Sequence, residues 1–318
     1  MRKFVLNSIL FSFFLLVGII GILTWIDAKG LSDEFYKRLN HSSPSIILGS
    51  SRAAQGIVPE VLQDSLSEMN FATPLENFSF TIIASPYSST YYRAIKKKLI
   101  PQVESNGLYV LDVTPYSLRN DRDGERERWD ILCGATIQKP NYPYLLRYCR
   151  PYKWLSHKSC LLHDDGWLEV RGIPLDSIWI ENALKDGTIS LNDIEIRKNH
   201  YIERMAYYRD WSISKSNERI NWLIKTITLL KAHGTVYLVR IPVSQQMKEI
   251  EDSIWPDFDK DIISIANSLD ISYFSFTEQC NQYRTVDGNH LYYEDAIKFS
   301  AALCDSIKHS FTSTVSDK

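Results

Sequence analysis

Five short runs rich in β-branched and aromatic residues restrict this chain to a narrow set of folds. They are Ser45 to Leu48, Asn77 to Phe80, Leu108 to Val113, Thr235 to Ile241 and Ile271 to Phe276. Turn signals bound them: Gly49 after the first, Asn106-Gly107 and Pro115 around the third, and Pro242 after the fourth. The stretches between have helical character. Pro59 suits the first turn of a helix running to about Glu68, with Val58, Val61, Leu62 and Leu66 on one face. Tyr87 to Leu99 has helical character and ends in Lys96-Lys97-Lys98, which reads as a solvated helix end because cations favour C-termini. Asn217 to Ala232 repeats Ile220, Leu223, Ile224, Ile227 and Leu230 at helical spacing before Gly234, and Asp261 to Leu269 and Tyr293 to His309 follow as helices. Strands alternating with helices imply a parallel sheet covered on both faces, joined by right-handed crossovers. Reactive groups in such sheets gather at the carboxyl ends of the strands.

A second constraint lies at the N-terminus. Phe4 to Ile26 contains no charged side chain. As a helix it would span about 35 Å, against a bilayer core of about 30 Å. Arg2 and Lys3 precede the run, while Asp27 and Lys29 follow it. The positive-inside rule then keeps the N-terminus cytoplasmic and places the body outside. A cleaved signal peptide is the competing reading, although the run is long for one and lacks an A-x-A site. With 36 basic and 38 acidic side chains and a net charge of −2, the chain gives no electrostatic case for nucleic acid.

From Pro115 to about Trp211 the periodicity is lost. This stretch holds five of the eight tryptophans, three cysteines and the turn signals Asp123-Gly124, Asp165-Gly166, Gly172 and Asp186-Gly187. It reads as an insertion whose aromatics either line a groove for a sugar or lipid chain or, the favoured reading, form a small core of their own. In an exported domain Cys149 can pair with Cys160, or Cys133 with either, whereas Cys280 and Cys304 read as buried small apolar residues. No cysteine or histidine cluster has zinc-site spacing, and no metal or cofactor is expected.

Two stretches carry chemistry. Gly49-Ser50-Ser51-Arg52 follows the first strand, and Asp287-Gly288-Asn289-His290 follows the fifth, so the topology lets them meet. A serine hydroxyl needs a neighbouring base to become a nucleophile. His290 can supply it, with Asp287 holding the imidazole tautomer. Taken alone, each stretch has a plainer reading, as a capping serine and as a helix-capping turn.

On these residues the chain resembles the SGNH/GDSL hydrolase superfamily, in particular its membrane-anchored bacterial members of the cell envelope. Gly49-Ser50-Ser51 matches the first block, Gly-Asp-Ser, which implies Ser51 as the nucleophile and puts Ser50 in the place of aspartate. Asp287 and His290 match the fifth block, Asp-x-x-His. The counterpart of the second block is Asn77-Phe78-Ser79, which implies backbone N–H donors from Ser51 and Ser79 to an oxyanion. The third block, Gly-x-Asn-Asp, has no match, because its strand runs into Asp112-Val113-Thr114-Pro115. The side-chain oxyanion donor is therefore absent or comes from elsewhere, Arg52 and the insertion being the candidates.

The expected fold is α/β: a flavodoxin-like three-layer αβα sandwich around a parallel sheet of about five strands. Residues 1–28 form the cytoplasmic N-terminus and anchor, 29–44 a stalk, 45–311 the hydrolase-like domain with its insertion at about 115–211, and 312–318 a flexible tail. The expected activity is that of an esterase or O-acyltransferase on acylated envelope glycans. A catalytically silent binding or assembly component of the envelope is the alternative. Arg52, Tyr87 and Arg240, with Trp129, Trp154 and Trp167, are the candidate substrate contacts.

Overall fold

The computed structural model describes residues 1–29, 42–79, 86–99, 106–119, 140–142, 145, 169–170, 173–174, 177–209 and 215–316. Five parallel strands form the central sheet: β1 (Ser45–Leu48), β2 (Leu75–Asn77), β3 (Gly107–Asp112), β4 (Gly234–Arg240) and β5 (Ser272–Ser275). Their order is β2-β1-β3-β4-β5, the flavodoxin-like arrangement, which places a change of winding direction beside β1. Helices pack on both faces, so β1 and β3 are buried along their whole length and read as near-continuous apolar runs. One face carries Ile46, Leu48, Tyr109, Leu111 and Leu238 with Leu223, Ile227, Phe258 and Ile262. The other carries Ile47, Val110, Val239 and Ile241 with Leu62, Phe299, Leu303 and Ile307.

The helices follow in chain order: α1 (Arg2–Ala28), α2 (Ser51–Gly56), α3 (Pro59–Ser65), α4 (Ser89–Lys98), α5 (Ser177–Lys185), α6 (Leu191–Arg209), α7 (Asn217–Lys231), α8 (Gln245–Ile254), α9 (Phe258–Ser268) and α10 (Tyr293–Ser316). Most have a local cause. Pro59 stands at the start of α3, and Ser88, Ser216 and Ser244 cap α4, α7 and α8 by accepting backbone N–H bonds.

Helix α1 is long and apolar enough to cross a membrane. Its side chains are largely exposed until Leu23 and Ile26, which are buried with the body, and Thr24 Oγ1 lies 3.0 Å from the Tyr142 hydroxyl. Of the expected stalk, residues 30–41 lie outside the described residues, while Ser43 is already buried in a bridge to Leu99.

Four sequence expectations need correction. The second strand ends at Asn77, because the Asn77 side chain turns the backbone after it. Lys98 is buried rather than solvated, paired with Glu76 at 2.9 Å and stacked 4.6 Å from the Phe78 ring. The last helix continues to Ser316, through most of the expected tail. Residues 177–209 of the insertion form two helices, α5 and α6. Cys280 and Cys304 are buried free thiols; Cys133, Cys149, Cys160, Trp129, Trp154 and Trp167 lie outside the described residues.

Candidate active site

The polypeptide leaves β1 at Gly49, and the following helix brings Ser51 over the carboxyl edge of the sheet. Gly49 is needed for close approach. A Cβ there would stand 2.6 Å from Asp112 Cβ and 2.8 Å from Ala53 Cβ. Ser50 caps α2, its hydroxyl accepting the Arg52 N–H at 3.3 Å and donating to Asp112 Oδ2 at 2.9 Å. Ser51 is the first residue of α2, where a backbone N–H has no acceptor within its own helix.

The second half of the site comes from the loop before α10. Asp287 Oδ1 accepts the backbone N–H groups of Asn289 at 3.0 Å and His290 at 2.9 Å, closing a tight turn. Gly288 takes φ +84°, and a Cβ there would meet Ile202 Cδ1 at 2.8 Å. The turn aims both reacting atoms. Asp287 Oδ2 lies 2.7 Å from His290 Nδ1, and His290 Nε2 lies 2.8 Å from Ser51 Oγ. An ionised carboxylate only accepts, so Nδ1 carries the proton and Nε2 is left as the acceptor for the Ser51 hydroxyl. Burial pushes the Asp287 carboxyl up, but His290, Arg197 and the Asn289 amide outweigh it and hold Asp287 below its usual value. All three sequence-predicted residues of the proposed triad are thus brought together.

Around them lies a buried network that sequence reasoning did not find. Arg52 Nε donates to Asn289 Oδ1 at 2.7 Å, and Arg52 Nη2 pairs with Glu251 Oε1 at 2.6 Å. Glu251 Oε2 pairs with Arg240 Nη2 at 2.9 Å, and Arg240 Nη1 reaches Asp259 at 2.9 Å. Burial disfavours the Glu251 carboxylate, but the two guanidinium groups override it and lower its pKa. Asp112 has no such pair of arginines. Burial pushes it up to about 6 against the pull of Arg52 and Ser50, and its Oδ1 has no hydrogen-bond partner among the described residues. The signal available in the sequence was one charged residue, Glu251, in phase with Met247 and Ile250 on the inner face of α8.

Helix α6, from the insertion, lies over the site. Tyr201 of α6 meets the His290 ring edge-on at 5.8 Å, and Arg197 Nη2 lies 4.0 Å from Asp287 Oδ2. The Tyr116 hydroxyl donates to the Met205 carbonyl at 3.2 Å, tying α6 to the exit of β3. Under this cover Ser51 retains 9% of its surface and His290 only 1%.

The remaining sequence candidates fall differently. Ser79 N–H donates to Asn77 Oδ1 at 3.1 Å, so the amide expected to face an oxyanion instead closes a turn. Asn77 Nδ2 in turn donates to the carbonyls of Ala53 and Ile57, fixing α2 against β2. Tyr87 is buried with its hydroxyl on the Asp112 carbonyl, and Arg240 is buried in its ion pairs. Arg52 touches the loop that carries the histidine. Among the described residues no cluster of three His, Cys, Asp or Glu side chains could hold a metal ion.

No protein-family model matches the chain, and no curated protein sequence matches it. The α/β fold and the geometry of Ser51, His290 and Asp287 therefore carry the functional reading.

Proposed function

We propose that this chain is an extracytoplasmic, membrane-anchored serine esterase or O-acyltransferase of the SGNH type, acting on acyl esters such as acetyl groups of cell-envelope glycans. The observation that carries the reading is the unbroken hydrogen-bonded line from Ser51 through His290 to Asp287. Ser51 Oγ attacks the acyl carbon while its proton passes to His290 Nε2, and the carbonyl electron pair moves onto oxygen. The Ser51 N–H faces that oxygen. Collapse expels the sugar alkoxide, which takes the proton from His290. Water then resolves the acyl-enzyme in hydrolysis, and a sugar hydroxyl does so in transfer. The resemblance of Gly49-Ser50-Ser51 and Asp287-x-x-His290 to the SGNH blocks supports the class. The charges flanking α1 support an N-terminus in the cytoplasm, and burial of Leu23 and Ile26 in the body supports an uncleaved anchor.

A silent binding or assembly component is the second reading. It is favoured by the cover of α6 over the proposed triad and by the engagement of the Ser79 amide. A screen of acetylated glycans and short acyl esters against the full-length protein separates the two. Turnover by wild type that Ser51→Ala lacks is expected, and turnover unchanged by that substitution removes Ser51 from the mechanism. Protease added outside a single-membrane cell, or one with a permeabilised outer barrier, is expected to reach the body. Digestion only from the cytoplasmic side refutes the orientation.

A further inference from the structure

An acyl-transfer site needs donors for the oxygen that becomes negative, and the described residues offer few of them. The strand that would bring an asparagine to the site ends in Asp112-Val113-Thr114-Pro115, and the Ser79 amide is engaged with Asn77. Only the Ser51 N–H remains of the two expected backbone donors. Yet one buried side-chain amide beside the reacting atoms has only a contested acceptor for its NH2.

Asn289 is 4% exposed, and its Nδ2 lies 3.2 Å from His290 Nε2. The orientation of this amide is dictated by chemistry. Arg52 Nε carries only a hydrogen, so the Asn289 atom 2.7 Å from it must be the oxygen, and the NH2 is turned toward the histidine. Arg52 is itself clamped through Glu251 to Arg240 and Asp259. In the resting site the single lone pair of His290 Nε2 is engaged by the Ser51 hydroxyl at 2.8 Å, so the Asn289 N–H competes for an occupied acceptor. Once Nε2 takes the Ser51 proton it becomes a donor as well. Two donors then face one another, and the amide needs a new acceptor at the moment charge develops on the acyl oxygen. An interaction that is poor in the ground state and good in the transition state is the kind that accelerates a reaction.

Resting on the serine-hydrolase reading above, we propose that Asn289 is the side-chain donor of this site: its Nδ2–H binds the acyl oxygen that becomes negative when Ser51 attacks, and Arg52 is the positioning residue that holds the amide in that orientation. Asn289 forms and breaks no covalent bond; the Ser51 proton still goes to His290 and the carbonyl electron pair to oxygen.

The test is the second-order rate at which a fluorophosphonate labels the full-length protein in detergent, since the phosphoryl oxygen occupies the same donors. Asn289→Ala removes the donor, while Asn289→Asp keeps the contact with Arg52 and loses the N–H. Both are expected to label on the order of 100-fold more slowly than wild type. Asn289→Asp serves where the alanine variant melts early, because its carboxylate still accepts from Arg52. Arg52→Gln is expected to slow labelling in the wild-type background and much less in Asn289→Ala, because its contribution passes through the amide. Labelling of a folded Asn289→Asp variant at the wild-type rate overturns the proposal while leaving Ser51 as nucleophile. Wild type that does not label, or a Ser51→Ala variant that labels equally, overturns both this proposal and the reading on which it rests.

Discussion

Replacing Glu251 by alanine is expected to be among the most damaging changes outside the proposed triad. Its carboxylate lies between two buried guanidinium groups, 2.6 Å from Arg52 and 2.9 Å from Arg240, with no exposed surface. Removing one member of a buried ion cluster leaves uncompensated charge and costs about 3–5 kcal/mol. Arg240 keeps Asp259 after the change, whereas Arg52 keeps no carboxylate in direct contact among the described residues, so most of the cost falls beside the site. At roughly 2–4 °C per kcal/mol for a domain of this size, melting should fall by about 10 °C. Thermal unfolding of the full-length protein in detergent, followed by near-ultraviolet circular dichroism, reads this directly. The pH dependence adds an independent check. Because the folded pKa of Glu251 is lowered, its contribution is fully present above the unfolded value of about 4.3 and is lost as the pH falls toward the folded value. The gap between wild type and variant should therefore stay constant from pH 8 to about pH 5 and narrow below that. A loss below about 1 kcal/mol, or a gap that widens on acidification, would mean that Glu251 does not hold the two arginines as a buried ion cluster.

Two further substitutions separate chemistry from stability. Asp287→Asn keeps an oxygen for the backbone N–H groups of Asn289 and His290 but loses control of the histidine tautomer; kcat is expected to fall by about 10⁴-fold in a protein that still folds but melts below wild type, because the charge that faces Arg197 is lost, as steady-state kinetics and calorimetry would show. Asp112→Asn should act in the opposite sense on stability. A carboxyl raised to about 6 is favourable to folding below its unfolded value and unfavourable as the pH rises through 6, so the variant is expected to melt above wild type at pH 7.5 by up to about 3 kcal/mol and to lose that advantage near pH 4.

The sheet was legible because β-branched runs bounded by glycine and proline have few alternatives in a chain that alternates them with helices. Gly49, Ser51, Asp287 and His290 were legible because each lies next to a strand end or a helix start, where topology alone brings them to one edge. The support around them was not. Arg52, Arg240, Glu251 and Asn289 come from four separate parts of the chain, and a charged side chain carries no local mark that says whether it will be buried and paired. Lys98 was misread for the same reason: its partner Glu76 sits on β2, far from the lysine run in sequence. Helix α6 escaped notice because its inner face is defined by Arg197 and Tyr201, which meet the proposed triad, rather than by an apolar stripe. The polar side chains that hold a site closed are the ones periodicity cannot rank.

The central claim is that Ser51 is an activated nucleophile, and the direct measurement is peptide mass mapping after treatment with a fluorophosphonate. A single adduct is expected on the peptide containing Ser51, absent from Ser51→Ala and strongly reduced in His290→Gln. No adduct on the folded wild-type protein, or one that persists in Ser51→Ala, would contradict it.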